Sequence, residues 1–507
     1  MSQPFPFSLI DIQAQFGSPV YPGSFVIHDE AAFWLQKRTN SSKELLVVGR
    51  ADSKVLTIFS GKQQPFHAEY MLKQCPITPS NSQALRSALP WLKPELLGLT
   101  TSAGFGDRLG IATPGHILAL QYTLKKLPGN DLVPIFAQQS IREMKRTGRT
   151  PQDVINDATW GAFQAGWRKK LGADADHLKT LADIDVCADA NFTFYTIDPG
   201  DYVDNKAEAA DSVTIKAKVE ALSWQDMQSS PADLQKRLSG KTFDFECLHL
   251  KVTNRDLWRA AAKYGAAISH IVKMARHIEA KSIPYELELS VDETETPTSF
   301  VEHIYIVTEL KRLGVHWVSF APRFVGRFEK GIDYIGNLDE IAKHMTGHAV
   351  IARAMGPYKL SLHSGSDKFS IYPLFSEATR GMCHLKTAGT SYVEALRVIA
   401  SRAPELFREI YAFALTRYSK DRASYHVSAD MSKLPALSTI KNDQLPELID
   451  DHCIRQILHV TFGSVLKKFG SDLKSTLRQH EETYYNILKH HFYRHLEPLQ
   501  QTPRLSR

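Results

Sequence analysis

The feature that most restricts the fold of this chain is an alternation of short apolar or β-branched runs with helix-length amphipathic segments, from about residue 95 to residue 430. The runs are ELLGLTTS (95–102), LVPIFAQ (132–138), FTFYTIDPG (192–200), YELELSVDE (285–293), VHWVSFAPR (315–323), YKLSLHSGS (358–366), MCHLKTAG (382–389) and YHVSAD (425–430). Parallel strands need crossover helices, so strand and helix repeated eight times predict an α/β fold, a (β/α)8 TIM-like barrel.

The flanks differ from this rhythm. Residues 1–90 carry short extended stretches, SFVIHD, ELLVVGR and KVLTIFSG, with Gly and Pro between them, which predict a small β-containing N-terminal portion. The barrel domain is expected over 91–465, and residues 466–507 as a C-terminal helical extension. In that extension KHHFYRH puts His491 and His495 four apart, which reads as a surface helix face. After the third run, residues 201–250 exceed an ordinary βα connection and predict a lid-like insertion over the active-site face.

Strands alternate their side chains between two faces. In YELELSVDE, Leu287 and Leu289 share one face while Glu286, Glu288 and Asp292 share the other. Ser361 and His363 oppose Leu360 and Leu362; His384 and Lys386 oppose Cys383 and Leu385; Asp198 and Asp430 end two further runs. The apolar faces suit the helical shell. The polar faces must then look into the barrel or its mouth, where unpaired carboxylates are costly and strand ends converge on one catalytic face. Imidazole with carboxylate suits a divalent cation such as Zn, Mn, Co or Ni, whereas all-oxygen ligation would suit Mg or Ca.

Other classes are disfavoured. A formal charge of +6 on 507 residues, without blocks of like charge, argues against a nucleic-acid partner. The opening MSQPFPFSLIDIQ lacks a signal-peptide pattern, and no apolar run approaches the roughly 20 residues that span a bilayer, so no membrane partner is expected. Five cysteines, all isolated, suit a reducing compartment and a cytoplasmic location. TSAGFGDRLGIATPGH (101–116) suggests a nucleotide loop, but Gly104, Gly106 and Gly110 miss the dinucleotide spacing by one residue. A nicotinamide-dependent oxidoreductase would also need an acidic residue at a second strand end, where the chain has LPGNDLVPIF.

GFGDRLGIATPGH, GADADHLKT, ELSVDETETPTS with the following EH, APRFVGRFEKGIDYIG, LSLHSGSDKFSIYP, HLKTAGTSYVEALRVIA and ILHVTFGS resemble the tagaturonate epimerase family over about residues 95–465. The resemblance implies a metal-dependent epimerase of hexuronate catabolism that interconverts D-tagaturonate and D-fructuronate. The inverted carbon lies β to the ketone, so simple enolisation does not labilise its hydrogen. Retro-aldol cleavage, rotation and re-addition would invert it, with a proton acceptor and a proton donor; deprotonation at another activated carbon is the rival route. The alternatives are another metal-dependent ketose or uronate isomerase, a class II-type aldolase, or a non-catalytic sugar-binding protein.

In this light His177 and His363 are expected metal ligands, with His303 a third, and Asp176 the neighbouring proton acceptor. Glu288, ahead of Asp292, is the expected donor; a structural ion pair with Lys386 or Arg323 is the alternative. A sugar-acid substrate needs a cation for its carboxylate, for which Arg108, Arg323, Lys368 and Lys386 are candidates. Asp107, His116 and Ser364 complete the expected substrate-binding rim, with 101–116 as a tight turn after the first strand.

Overall fold

A computed structural model describes residues 7–10, 19–39, 41–128 and 131–501. The outermost parts of the two expected flanks, 1–6 and 502–507, lie outside the described residues.

Eight parallel strands close into a barrel: β1 (Ser102–Gly106), β2 (Val133–Ser140), β3 (Gly172–Leu178), β4 (Phe194–Ile197), β5 (Glu286–Ser290), β6 (Ser319–Ala321), β7 (Lys359–Leu362) and β8 (Cys383–Thr387). Each pairs with its neighbours in chain order, and β8 closes onto β1 with His384 opposite Ser102. The barrel is as expected, but two assignments change. GADADHL, not among the eight runs read from sequence, forms β3, whereas YHVSAD is irregular chain leading to a 3-10 turn capped by Asp430. The 201–250 insertion therefore follows the fourth strand rather than the third.

Alternation works as expected in β5. Leu287 and Leu289 join the apolar core, and Glu288 and Ser290 are buried on the other face. Glu286 lies at the entry end, where its carboxylate accepts the backbone N–H groups of Leu97 and Gly98. In β3 alternation is broken once: Ala175 pairs with Tyr195 and Leu178 with Ile197, so one extra residue sits on β3. That bulge coincides with His177 at φ 52°, in the left-handed region. Bulges re-aim side chains beside active sites. Here the bulge lets the consecutive Asp176 and His177 both line the mouth.

β1 begins where ELLGLTTS ends, so Gly104 and Gly106 lie inside a strand and not in a turn after it. A Cβ on Gly106 would come within 2.9 Å of the β8 backbone continuation at Thr387 and Ala388. The glycines thus allow close strand approach, and the phosphate-loop reading is withdrawn.

The N-terminal portion is a five-stranded antiparallel sheet, running Val26–His28, Ala31–Lys37, Lys43–Arg50, Tyr70–Pro76 and Lys62–His67 across its width. Its Leu45 and Cys75 share one continuous apolar cluster with Leu289 of the barrel and Leu488 of the last helix.

The first residues of the insertion reach the mouth side, where Asn205 Oδ1 accepts the Glu295 N–H and Asp201 pairs with Lys179. Its later part lies against the helical shell. Arg237 pairs with Glu309 near the end of helix Phe300–Arg312. The hairpin Thr242–Phe245/Leu248–Lys251 turns at Glu246, which binds Arg353 and Arg380. Arg380 lies just before β8, at the end of the barrel opposite the mouth. This later part of the segment braces the outer wall.

Helices continue after the barrel from Pro404, well before 466, and end with Glu481–Gln501. That last helix packs on Thr113–Lys126, where a Cβ on Gly115 would meet Leu488 Cδ1 at 2.7 Å. His491 and His495 are buried there and not on a surface face. Among the described residues no helix is long and apolar enough to cross a membrane.

Candidate active site

Inside the barrel, Lys386 Nζ on β8 lies 2.7 Å from Asp174 Oδ2 and from Asp176 Oδ1, 2.8 Å from Glu288 Oε1 and 2.6 Å from Thr196 Oγ1. One ammonium thus serves three buried carboxylates, an arrangement tolerable only because the charges pair. Burial opposes the charge of Lys386, but the three carboxylates outweigh it and raise its pKa. Burial pushes Asp174 up to about 7 despite Lys386. Glu288 is held well below the ordinary carboxylate range because Lys386 and His363 overcome its burial.

His363, one residue beyond β7, donates from Nε2 to Glu288 Oε1 at 2.5 Å, and its Nδ1 is 3.2 Å from Asp292 Oδ1. His177 Nδ1 is 3.2 Å from Asp198 Oδ2. Asp198 is fixed in turn because its Oδ1 accepts the Gly200 N–H at 2.8 Å. The His177 and His363 rings stand 5.2 Å apart. Ligand atoms of Asp176, His177 and His363 all lie within 4.8 Å of one another. A second triple, His177, Asp198 and Glu293, shares His177.

Burial opposes protonation of both imidazoles, but Asp176 and Asp198 raise His177 to about 10, and Glu288 and Asp292 raise His363 to about 9. The carboxylates thus carry more negative charge than Lys386 offsets, and protons on the imidazoles make up the difference. A divalent cation competes for the same lone pairs. The donor set of one carboxylate and two imidazoles therefore fits a metal of the Zn, Mn, Co or Ni type.

The mouth has two lobes. One is lined by Asp176, His177, Lys386, Arg108 and Arg142, the other by Asp292, Glu293, Arg323 and Phe328; His363, Ser364, Lys330 and Tyr425 border both.

Of the residues singled out from sequence, Asp176, His177, Glu288, Asp292, His363, Ser364, Arg323 and Lys386 meet at this site. The others are held elsewhere or occupied. His303 donates and accepts within a buried outer-helix pair, its Nδ1 2.9 Å from His348 Nδ1 and its Nε2 2.8 Å from Tyr358 Oη. It is not among the side chains that could together hold a metal here, whereas Asp176 is. His116 is fully buried in helix Thr113–Lys126, against Ser391 Oγ at 2.8 Å and stacked on Phe105. The Asp107 carboxylate accepts the N–H groups of Leu109, Gly110 and Ala112, so it shapes its own loop. Lys368 Nζ donates to the carbonyls of Glu329, Ile332 and Ser366. Arg108 reaches the mouth wall, but its guanidinium is engaged by Glu143 at 2.6 Å, the His459 carbonyl and the Phe462 ring face.

Sequence reasoning missed Asp174, Glu293, Arg142 and Lys330. Asp174 was two residues from Asp176 and would have emerged had GADADHL been read as a strand. Arg142, in the first turn of helix Ile141–Thr147, pairs with Glu293 in the loop after β5, and Lys330 sits in an irregular loop; nothing in the local sequence pattern brings these residues together.

Comparison with known proteins shows the family and the fold. The family profile described as tagaturonate epimerase matches residues 21–499. A tagaturonate/fructuronate epimerase of Thermotoga maritima is 42% identical over 486 residues, covering 96% of this chain and 97% of that one. The native crystal structure of the fructuronate-tagaturonate epimerase from Cohnella laeviribosi superposes with a TM-score of 0.89 at 33% identity, covering 97% of this chain and 98% of that one. A structure of that enzyme with one glycerol bound aligns equally well, with a TM-score of 0.89.

Proposed function

The chain belongs to the tagaturonate epimerase family, and from that premise we propose that its barrel mouth interconverts D-tagaturonate and D-fructuronate with a divalent cation held by Asp176, His177 and His363. The observation that carries this reading is the convergence of those three side chains, with ligand atoms within 4.8 Å of one another, between two lobes that each offer a carboxylate. A cation bound there supplies Lewis-acid stabilisation of negative charge on the ketone side of the substrate.

The protein's own groups account for the proton movements. Epimerisation moves a hydroxyl from one face of a carbon to the other, so proton exchange is needed on two sides. Asp176 lines one lobe and Asp292 the other, with His363 bordering both. As the carbon–carbon bond next to the alcohol breaks, one carboxylate takes the hydroxyl proton; after the aldehyde fragment rotates and re-adds, the other side returns one. Asp292 is preferred to Glu288 in this exchange. Glu288 Oε1 is enclosed by Lys386, His363 and Thr196, which suits it to fixing the His363 ring. Isolated cysteines, free where the structure describes them, support a cytoplasmic setting.

Incubating the purified protein with each sugar acid, with and without a chelator, tests the proposal. Interconversion that stops on chelation and returns with added metal is expected. Three-carbon fragments accumulating without any epimer would overturn it.

A further inference from the structure

An enzyme that acts on a sugar acid must hold a carboxylate near its reacting centre, and the cations at this mouth can be accounted for one by one. Arg108 is paired with Glu143, Arg142 with Glu293, Lys179 with Asp201, Arg327 with Glu329 at 3.6 Å, and Lys386 with three carboxylates. Lys368 is buried on backbone carbonyls. Arg323 turns its guanidinium back to the carbonyls of Phe324 and Gly326, at 3.3 and 3.2 Å, and lines one lobe only. Lys330 is neither ion-paired like the first group nor turned onto backbone carbonyls like Lys368 and Arg323. Its Nζ donates to a neutral hydroxyl, Ser364 Oγ, at 2.7 Å, and among the described residues no carboxylate lies within the 4.0 Å of an ion pair. Glu293 senses its charge, but that carboxylate is already taken by Arg142.

Position and rigidity point the same way. Lys330 borders both lobes, and its one partner, Ser364, directly follows His363. The turn that displays it is clamped on both sides: Lys368 Nζ holds the carbonyls of Glu329 and Ile332, and the Glu329 carboxylate accepts from the Ser428 N–H and Gln456 Nε2. Gly331, at φ 77°, supplies the left-handed residue the turn requires. A cation preorganised in this way recognises an anion without first breaking an ion pair.

We infer that Lys330 anchors the carboxylate of the substrate and so determines the preference for a sugar acid over the corresponding neutral ketose. The inference rests on the epimerase reading above. The test compares wild type, K330M, K330Q, K330R and R323M on D-tagaturonate and on D-tagatose, with thermal melts to establish folding. For K330M and K330Q, kcat/KM on tagaturonate is expected to fall on the order of 10- to 100-fold, mainly through KM, with no comparable fall on tagatose. K330R is expected to recover most of the loss. The inference is overturned if K330M and K330Q leave the KM for tagaturonate unchanged, if they weaken both substrates equally, or if R323M alone produces the selective loss. A wild-type protein that does not epimerise tagaturonate would instead refute the underlying reading.

Discussion

His177 follows Asp176 directly, and in an unbroken strand the two would point to opposite faces. The bulge at φ 52° brings both to the mouth, but it leaves the imidazole orientation to be set by something else. Asp198 does this, accepting from Nδ1 and leaving Nε2 for a metal. Removing such a partner costs about 10- to 100-fold in metal affinity. D198A should therefore bind cobalt(II) more weakly by that factor in a spectroscopic titration, while its melting temperature stays close to wild type; unchanged affinity would reject the orienting role. Lys386 makes the opposite prediction. It is the one ammonium shared by Asp174, Asp176 and Glu288, so K386M leaves buried carboxylates uncompensated. A loss of about 3–5 kcal/mol is expected from urea denaturation, as for breaking a buried pair.

Individual elements explain which parts of the site could be read from sequence. β5, β7 and β8 alternate leucine with charged or polar residues, and their inward Glu288, Ser361 and Lys386 follow from that pattern alone. β3 escapes the pattern because GADADHL has no β-branched residue and its small alanines face the helices, so its strand character comes from its barrel neighbours and not from intrinsic preference. Two inward aspartates look like a solvated helix start until a buried lysine on β8, more than 200 residues away, is seen to pair with them. His303 illustrates the reverse error. Helix Phe300–Arg312 does follow a strand of the mouth, but a helix face, unlike a strand end, points where its packing dictates, here into Phe320, His348 and Tyr358. Burial lowers His303 to about 3, against about 6.5 in an unfolded chain. Because the folded value is depressed, the neutral ring contributes stability above about pH 6.5 that is lost as the pH falls toward the folded value. H303F should thus lose less stability than wild type between pH 7 and pH 5, by about one proton's worth of slope, while binding metal equally well. Equal losses in urea midpoints at the two pH values would show that His303 is not held neutral.

At the scale of the whole molecule, the barrel is braced from outside by pieces whose role the chain order conceals. The last helix looks like a basic terminal appendage, yet it inserts His491 and His495 beside Asp367, which also binds Arg455 at 3.1 Å. Asp367 lies four residues beyond His363, so the chain terminus supports the loop that carries the site. The 201–250 insertion adds contacts to the helical shell. A lid would be expected to change kcat and KM together when removed, because it closes over substrate. A brace would not. The hairpin can be excised cleanly, since Gly240 and Val252 are joined by backbone hydrogen bonds, Gly240 N–H to Val252 C=O and Val252 N–H to Lys241 C=O. Replacing 242–251 with a short Gly-Ser turn removes Glu246 from Arg353 and Arg380 and strips Phe243, Phe245 and Leu250 from the shell. Exposed ion pairs of this kind contribute about 0.2–1 kcal/mol each, and the apolar contacts add to that, so the melting temperature should fall. Turnover of tagaturonate at a temperature well below the new midpoint should stay within about two-fold of wild type. A parallel drop in kcat and rise in KM, with the melting temperature unmoved, would restore the lid and reverse the assignment made from Glu246 and its arginine partners.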